Sequence, residues 1–158
     1  MTLPPSTPGG GLAIRAAAGA DLDAMVRLLA VLFSLEADYR PDAERQRRGL
    51  ALLLAEPDAR VLVAEAGGRA VGMATVQLVV STAEGAFSAL VEDVVVEAAW
   101  RGRGAGQSLL SAAEAWARER GATRLQLLAD RENAPALRFY ERNGWRTTQL
   151  VCWRRGGA

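Results

Sequence analysis

The stretch ALVEDVVVEAAWRGRGAG, residues 89–106, sets two adjacent carboxylates, Glu92 and Asp93, inside an apolar run. Three glycines follow, Gly102, Gly104 and Gly106, alternating with Arg103 and Ala105. A carboxylate buried among apolar side chains is costly, and its pKa rises toward the range where a base works at neutral pH. Glycines at a strand-to-helix junction permit positive φ and leave backbone N–H groups bare at the positive end of a helix dipole, where anions bind. The first feature can take a proton; the second can hold a phosphate.

Several chemistries are excluded by what is missing. The chain has no histidine and no lysine, and Cys152 is its only cysteine. A zinc cluster, a Cys-His or Ser-His pair and an intramolecular disulfide are therefore ruled out, and acid–base work falls to carboxylates, tyrosine or water. The dinucleotide pattern G-x-G-x-x-G fails because Gln107 stands where its third glycine belongs, and a P-loop fails for want of lysine. What remains, R-x-x-G-x-G over residues 101–106, is by itself a weak signal that a tight glycine turn would also satisfy.

These residues need elements to hold them. Leu12 to Arg15 reads as a short strand, and Leu22, Met25, Val26, Leu28, Leu29, Leu32 and Phe33 recur at helical spacing behind a capping Asp21. A second helix is expected over 41–55, with Pro41 at its start. A hairpin turns at Gly67 and Gly68, and residues 87–96 form a strand leading into the glycine loop. A helix over 104–120 stops at Gly121, and TRLQLLA is a further strand. Asn133 caps a helix that Gly144 ends, and WRTTQLVCWRR reads as a last strand with Cys152 packed as a small hydrophobe. By period 2, Glu92 shares a face with Leu90 and Val94, while Asp93 points the other way in a structural role.

With 158 residues, half of them hydrophobic, the chain suits one domain over 12–158 after a flexible tail over 1–11. The net charge of +1 gives no broad basic field for nucleic acid or an anionic membrane. No apolar run is long enough to span a bilayer and the start lacks a secretory signal, so a cytoplasmic location is expected.

Together, VEDVVVEAAWRGRGAGQSLL and the later LLADRENAPALRFYERNGW resemble the GCN5-related N-acetyltransferase (GNAT) family, in both motifs and their order, across roughly residues 12–151. The resemblance implies a mixed α/β fold: a mostly antiparallel, twisted sheet of about six to seven strands, splayed at a cofactor cleft and flanked by about four helices. It implies transfer of an acetyl group from acetyl-CoA to a primary amine, directly within a ternary complex and without a metal. Arg101, Gly102, Arg103, Gly104, Ala105, Gly106 and Gln107 would hold the pyrophosphate; Val94, Val95 and Val96 would line the pantetheine arm; Asn133, Ala136 and Tyr140 would complete the cofactor site. Val94 N–H would face the thioester carbonyl.

An alkyl ammonium with pKa about 10.4 carries little free base at neutral pH, so a base is needed, and Glu92 is the candidate, directly or through water. A salt-bridged or edge-exposed Glu92 is the plainer alternative. Tyr140 is the candidate acid for the leaving thiolate. Glu36, Tyr39 and Glu84, with Asp38, are candidates for the acceptor side, where the amine stays open between small molecules and a protein amine. A non-catalytic acyl-CoA sensor is the rival function, and the terminal strand would suit a homodimer.

Overall fold

The computed structural model describes residues 11–156; apart from Gly11, the expected tail lies outside them. The elements run β1 (Ala13–Ala16), a 3₁₀ turn (Gly19–Asp21), α1 (Leu22–Leu35), α2 (Ala43–Ala55), β2 (Ala59–Ala66), β3 (Arg69–Ser81) and β4 (Ala86–Val96). A second 3₁₀ turn (Ala98–Trp100), α3 (Ala105–Glu119), β5 (Ala122–Leu127) and α4 (Ala134–Arg142) complete the order. The strands form one sheet in the order β1-β2-β3-β4-β5. The first three pairings are antiparallel. The chain passes from β4 to its neighbour β5 through α3, the helical crossover that parallel strands need. This is the expected mixed α/β architecture, with five strands among the described residues instead of six or seven.

Alternation along the strands distributes the core over two faces. Met25, Leu28 and Leu29 of α1 and Leu50 of α2 pack with Val61, Val63, Met73 and Val95 in one buried cluster. Gly72, one residue from Met73, faces the other way: a Cβ there would meet Val95 O at 3.1 Å, Val96 Cγ2 at 3.2 Å and Leu109 Cδ1 of α3 at 3.4 Å. The sheet is thus covered by α1 and α2 on one face and by α3 on the other, and Gly72 lets α3 approach closely. The β2–β3 hairpin turns on Gly67 and Gly68, whose φ values of 57° and 78° suit the two central positions of a tight hairpin turn.

Charged side chains tie the edges. Arg15 on β1 donates through Nη1 and Nη2 to Asp21 at 2.8 and 2.9 Å and through Nε to Glu65 of β2 at 2.6 Å. Asp21 also accepts from Ala18 N–H at 2.8 Å. Its expected capping role is therefore corrected: the side chain makes no cap bond to α1 because Arg15 and Ala18 hold it. The start of α2 is likewise set by Asp42, which accepts from Arg45 N–H at 3.1 Å, and not by Pro41.

The chain divides into two compact units, one ending at Gln126 and the other beginning at Leu127. In the second, Asn133 Oδ1 accepts from Ala136 N–H at 3.2 Å, capping α4 as expected, with Pro135 in the first turn. Asn143 Nδ2 donates to Phe139 O at 2.8 Å, and Trp145 N–H donates to Tyr140 O at 3.0 Å, closing the helix at Gly144. Two expectations fail here. Residues 146–156 form no strand, and Cys152 is exposed rather than packed, because Leu150 (84% exposed), Val151 and Trp153 (90%) face solvent instead of a sheet neighbour. Among the described residues no helix is long and apolar enough to cross a membrane.

Candidate active site

The glycine loop forms where the sequence places it. Arg101 Nε donates to the Val96 carbonyl at 2.9 Å, folding the loop back on the end of β4, and Arg103 stacks over the Trp100 ring at 5.0 Å. Arg69 clamps Glu97 through two bonds of 2.7 and 2.8 Å and fixes the strand end to β3. That pairing holds the Glu97 carboxyl below its ordinary pKa.

Gly102 and Gly104 have φ of 72° and 83°, and Gly104 is the left-handed residue that opens α3. The first helical bond runs from Ser108 N–H to Gly104 O at 2.9 Å. Ala105, Gly106 and Gln107 therefore present N–H groups without helical acceptors. No side chain caps this terminus and its first turn carries no acid. A helix start left bare, after a turn with no Cβ in the way, suits a phosphate-bearing ligand. Among the described residues no cluster of three or more His, Cys, Asp or Glu side chains could hold a metal ion.

The carboxylates on β4 depart from expectation. The register pairs Thr75 with Glu92 but Met73 with Val95, so two residues of β4, Asp93 and Val94, stand opposite the single Ala74 of β3. This is a β-bulge, and Asp93 takes up the irregularity with φ of 51°, the one described non-glycine residue at positive φ. Strict alternation ends there. Asp93 does not turn to the opposite face: its Oδ2 accepts from Thr75 Oγ1 at 3.3 Å, on the side that Glu92 shares through its register with Thr75. Beyond the bulge it is Val95, not Val94 or Val96, that joins Met73 in the core cluster.

Burial raises the Glu92 carboxyl, as expected, although Glu92 as a residue is exposed. Asp93 is displaced further, pushed up to about 6, first by burial and then by the charge of Glu92. The bond from Thr75 pulls the other way, and Glu36 adds to the rise. Glu36 is the C-cap of α1, so the acceptor-side segment expected from the sequence brings its charge to bear on Asp93. Tyr39, three residues on, stacks on Phe33 at 5.3 Å. Glu84 lies instead at the β3–β4 turn, where Thr123 donates to it at 2.8 Å and Arg124 pairs with it at 3.2 Å. Its charge is neutralised within the fold, which accounts for it without an acceptor.

In the second unit Tyr140 sits on α4 between Phe139 and Trp145, with ring centroids 5.3 and 6.2 Å away. Asn133 keeps its Nδ2 for other partners while Oδ1 caps the helix. Sequence reasoning did not foresee the bond from Thr75 and placed Asp93 on the wrong face of the strand. The available signal was the adjacency of two acids in a strand, a pattern that strict alternation strains to accommodate.

Comparison with known proteins agrees with this geometry. Residues 23–145 match the family model described as the acetyltransferase (GNAT) family. An aminoalkylphosphonate N-acetyltransferase of Salmonella typhimurium is 29% identical over 137 residues, covering 87% of this chain and 86% of that protein. An aminoglycoside N(6')-acetyltransferase type 1 of Stenotrophomonas maltophilia is 31% identical over 117 residues, covering 72% and 76%. The solved structure of a protein from Bacillus halodurans, described as a transcriptional regulator, superposes with a TM-score of 0.79 at 27% identity, over 92% of this chain and 100% of that one. The chain belongs to the GNAT acetyltransferase family and is an N-acetyltransferase.

Proposed function

We propose that the protein moves an acetyl group from acetyl-CoA to a primary amine of a small molecule, by direct transfer within a ternary complex. The observation that carries this reading is the bare N-terminus of α3 behind left-handed Gly104, with no acid in its first turn. Backbone N–H groups over 101–107 bind the pyrophosphate and Val94 to Val96 line the pantetheine arm, and the family resemblance adds Asn133 and Ala136 as residues that contact the cofactor. Acetyl-CoA supplies the acetyl group as an activated thioester. The acceptor ammonium gives up a proton toward the Glu92–Asp93 pair, the Val94 N–H polarises the carbonyl, and Tyr140 returns a proton to the leaving sulfur.

Glu36 and Tyr39 belong to the acceptor side. The charges of Glu36, Glu92 and Asp93 favour an acceptor with more than one amine, as in an aminoglycoside or polyamine, over one that carries its own anion. Relatives named for small-molecule amines support a small molecule over a protein amine. The protein acts in the cytoplasm as a homodimer, with Leu150, Val151 and Trp153 supplying exposed apolar surface for association.

The test is release of free CoA from acetyl-CoA with a panel of polyamines, aminoglycosides, aminoalkylphosphonates, amino acids and peptide N-termini. Turnover on a multiply cationic amine is the expected result, and preference for a phosphonate would overturn the acceptor assignment. Tight binding of acetyl-CoA with no acceptor on the panel would favour the second reading, a non-catalytic acyl-CoA sensor, which the regulator description of one structural relative keeps in view. Sedimentation of the purified protein as a monomer would remove the dimer.

A further inference from the structure

Two carboxylates stand side by side on β4, and the fold treats them differently. Glu92 is exposed. Asp93 lies at the bulge with φ of 51°, a backbone conformation few non-glycine residues adopt, and is held by the fully buried Thr75 at 3.3 Å. The charged groups bearing on it are Glu92 from its own strand and Glu36 from the end of α1, while β3 offers only the neutral Thr75 hydroxyl. No cation neutralises it among these, so the site is built to leave Asp93 hungry for a proton. By contrast, the carboxylates that serve structure here, Asp21 and Glu97, are each clamped by an arginine.

We infer that, within the Glu92–Asp93 pair, Asp93 is the residue that accepts the proton of the acceptor ammonium, held for that task by Thr75 at the bulge, and that Glu92 serves to attract the cation. The inference rests on the acetyl-transfer reading above and deepens it. The ammonium N–H bond breaks and Asp93 gains the proton, which frees the nitrogen lone pair. That pair forms the C–N bond to the acetyl carbon as the C–S bond breaks. The second proton lost from nitrogen is matched by the one the leaving sulfur takes up, and Asp93 returns its own to solvent, so each turnover yields amide, free thiol and one released proton.

The displacement of Asp93 to about 6 gives the inference its readout. With no histidine in the chain, no ordinary side chain titrates there. The experiment is the pH dependence of kcat/KM on the best panel amine, for the parent, Asp93→Asn, Glu92→Gln and Thr75→Val, with acetyl-CoA binding followed by calorimetry. The parent should lose activity below a single acid limb near that value. Asp93→Asn should lower kcat/KM about 10²-fold or more and abolish the limb, with acetyl-CoA still bound. Glu92→Gln should keep the limb, moved to lower pH because one of the charges that raise Asp93 is gone, and raise KM. Thr75→Val removes a bond that stabilises the ionised form, so its limb should move to higher pH, a change that loss of a merely structural contact would not cause.

A limb that persists in Asp93→Asn overturns the assignment, whatever Glu92→Gln does. If Asp93→Asn does not fold, Thr75→Val decides, and an unmoved limb there is equally fatal. Absence of turnover by the parent on every amine sinks the acetyl-transfer reading itself, and this proposal with it, before any variant is compared.

Discussion

Asp93 and Gly104 both adopt positive φ, and the same physics makes one invisible and the other plain in the sequence. Gly104 belongs to a glycine-rich junction, and glycine is the residue expected where the chain turns left-handed before a helix. A Cβ at Gly104 would meet nothing within 4 Å, so the demand there is conformational and not one of space. Gly104→Ala should therefore fold at a cost of about 1 kcal/mol and weaken acetyl-CoA binding, since its backbone must relax away from the geometry that presents the N–H groups. Isothermal titration is expected to show a several-fold rise in the acetyl-CoA Kd, and an unchanged Kd would remove the loop from the cofactor site. Asp93 offered no such cue. Asp tolerates the left-handed region only as a minority choice, and the bulge that imposes it depends on how β3 pairs with β4. Glu92 and Tyr140 were legible as candidates because their types and spacing match a motif, whereas the Asp93–Thr75 bond required tertiary structure.

Periodicity carried the elements further than the site. The α1 face, the Gly67–Gly68 turn and the 105–119 helix follow the sequence pattern closely, because each is fixed by local alternation or a local breaker. The segment 146–156 fails for the opposite reason. Its alternation reads as a strand, yet a strand exists only with a partner, and none pairs with it among the described residues. Gly72 shows how an element-level contact can hinge on one position. It lies on β3 between the Val95–Val96 end of β4 and Leu109 of α3, where an added Cβ already falls within 3.1 Å of a backbone oxygen. Gly72→Val should overpack that junction and destabilise the fold by about 1–3 kcal/mol, read as a lower urea midpoint at unchanged slope. Because the push falls on the strand end that leads into the glycine loop, acetyl-CoA affinity should fall with it. A variant as stable as the parent would mean that α3 does not seat against β3 as described.

At the scale of the whole molecule, the charged groups predict the shape of stability against pH. Arg15 holds Asp21 below the usual carboxylate range, and Arg69 does the same for Glu97. A depressed carboxyl adds stability that is present above its unfolded pKa and lost as pH falls through its folded value, so these pairs fail on acidification below about pH 4. Asp93 has the opposite sign. Its folded value of about 6 lies above the ordinary 3.8, so the native state binds the extra proton between those limits and stability falls as pH rises through that window. Glu92 adds a smaller effect in the same direction. With no histidine to titrate in between, the melting temperature should peak near about pH 5, drop steeply below about pH 4 and decline gently to pH 7. Asp93→Asn should remove most of the gentle decline, making the variant more stable than the parent at pH 7.5 and no more stable at pH 4.5. Scanning calorimetry of both proteins across that range is the check. A parent curve that stays flat between pH 5 and 7, or an Asp93→Asn protein no more stable than the parent at pH 7.5, would mean that the Asp93 carboxylate is solvated in the native state. The exposed Glu92 would then be left as the only β4 acid available for catalysis.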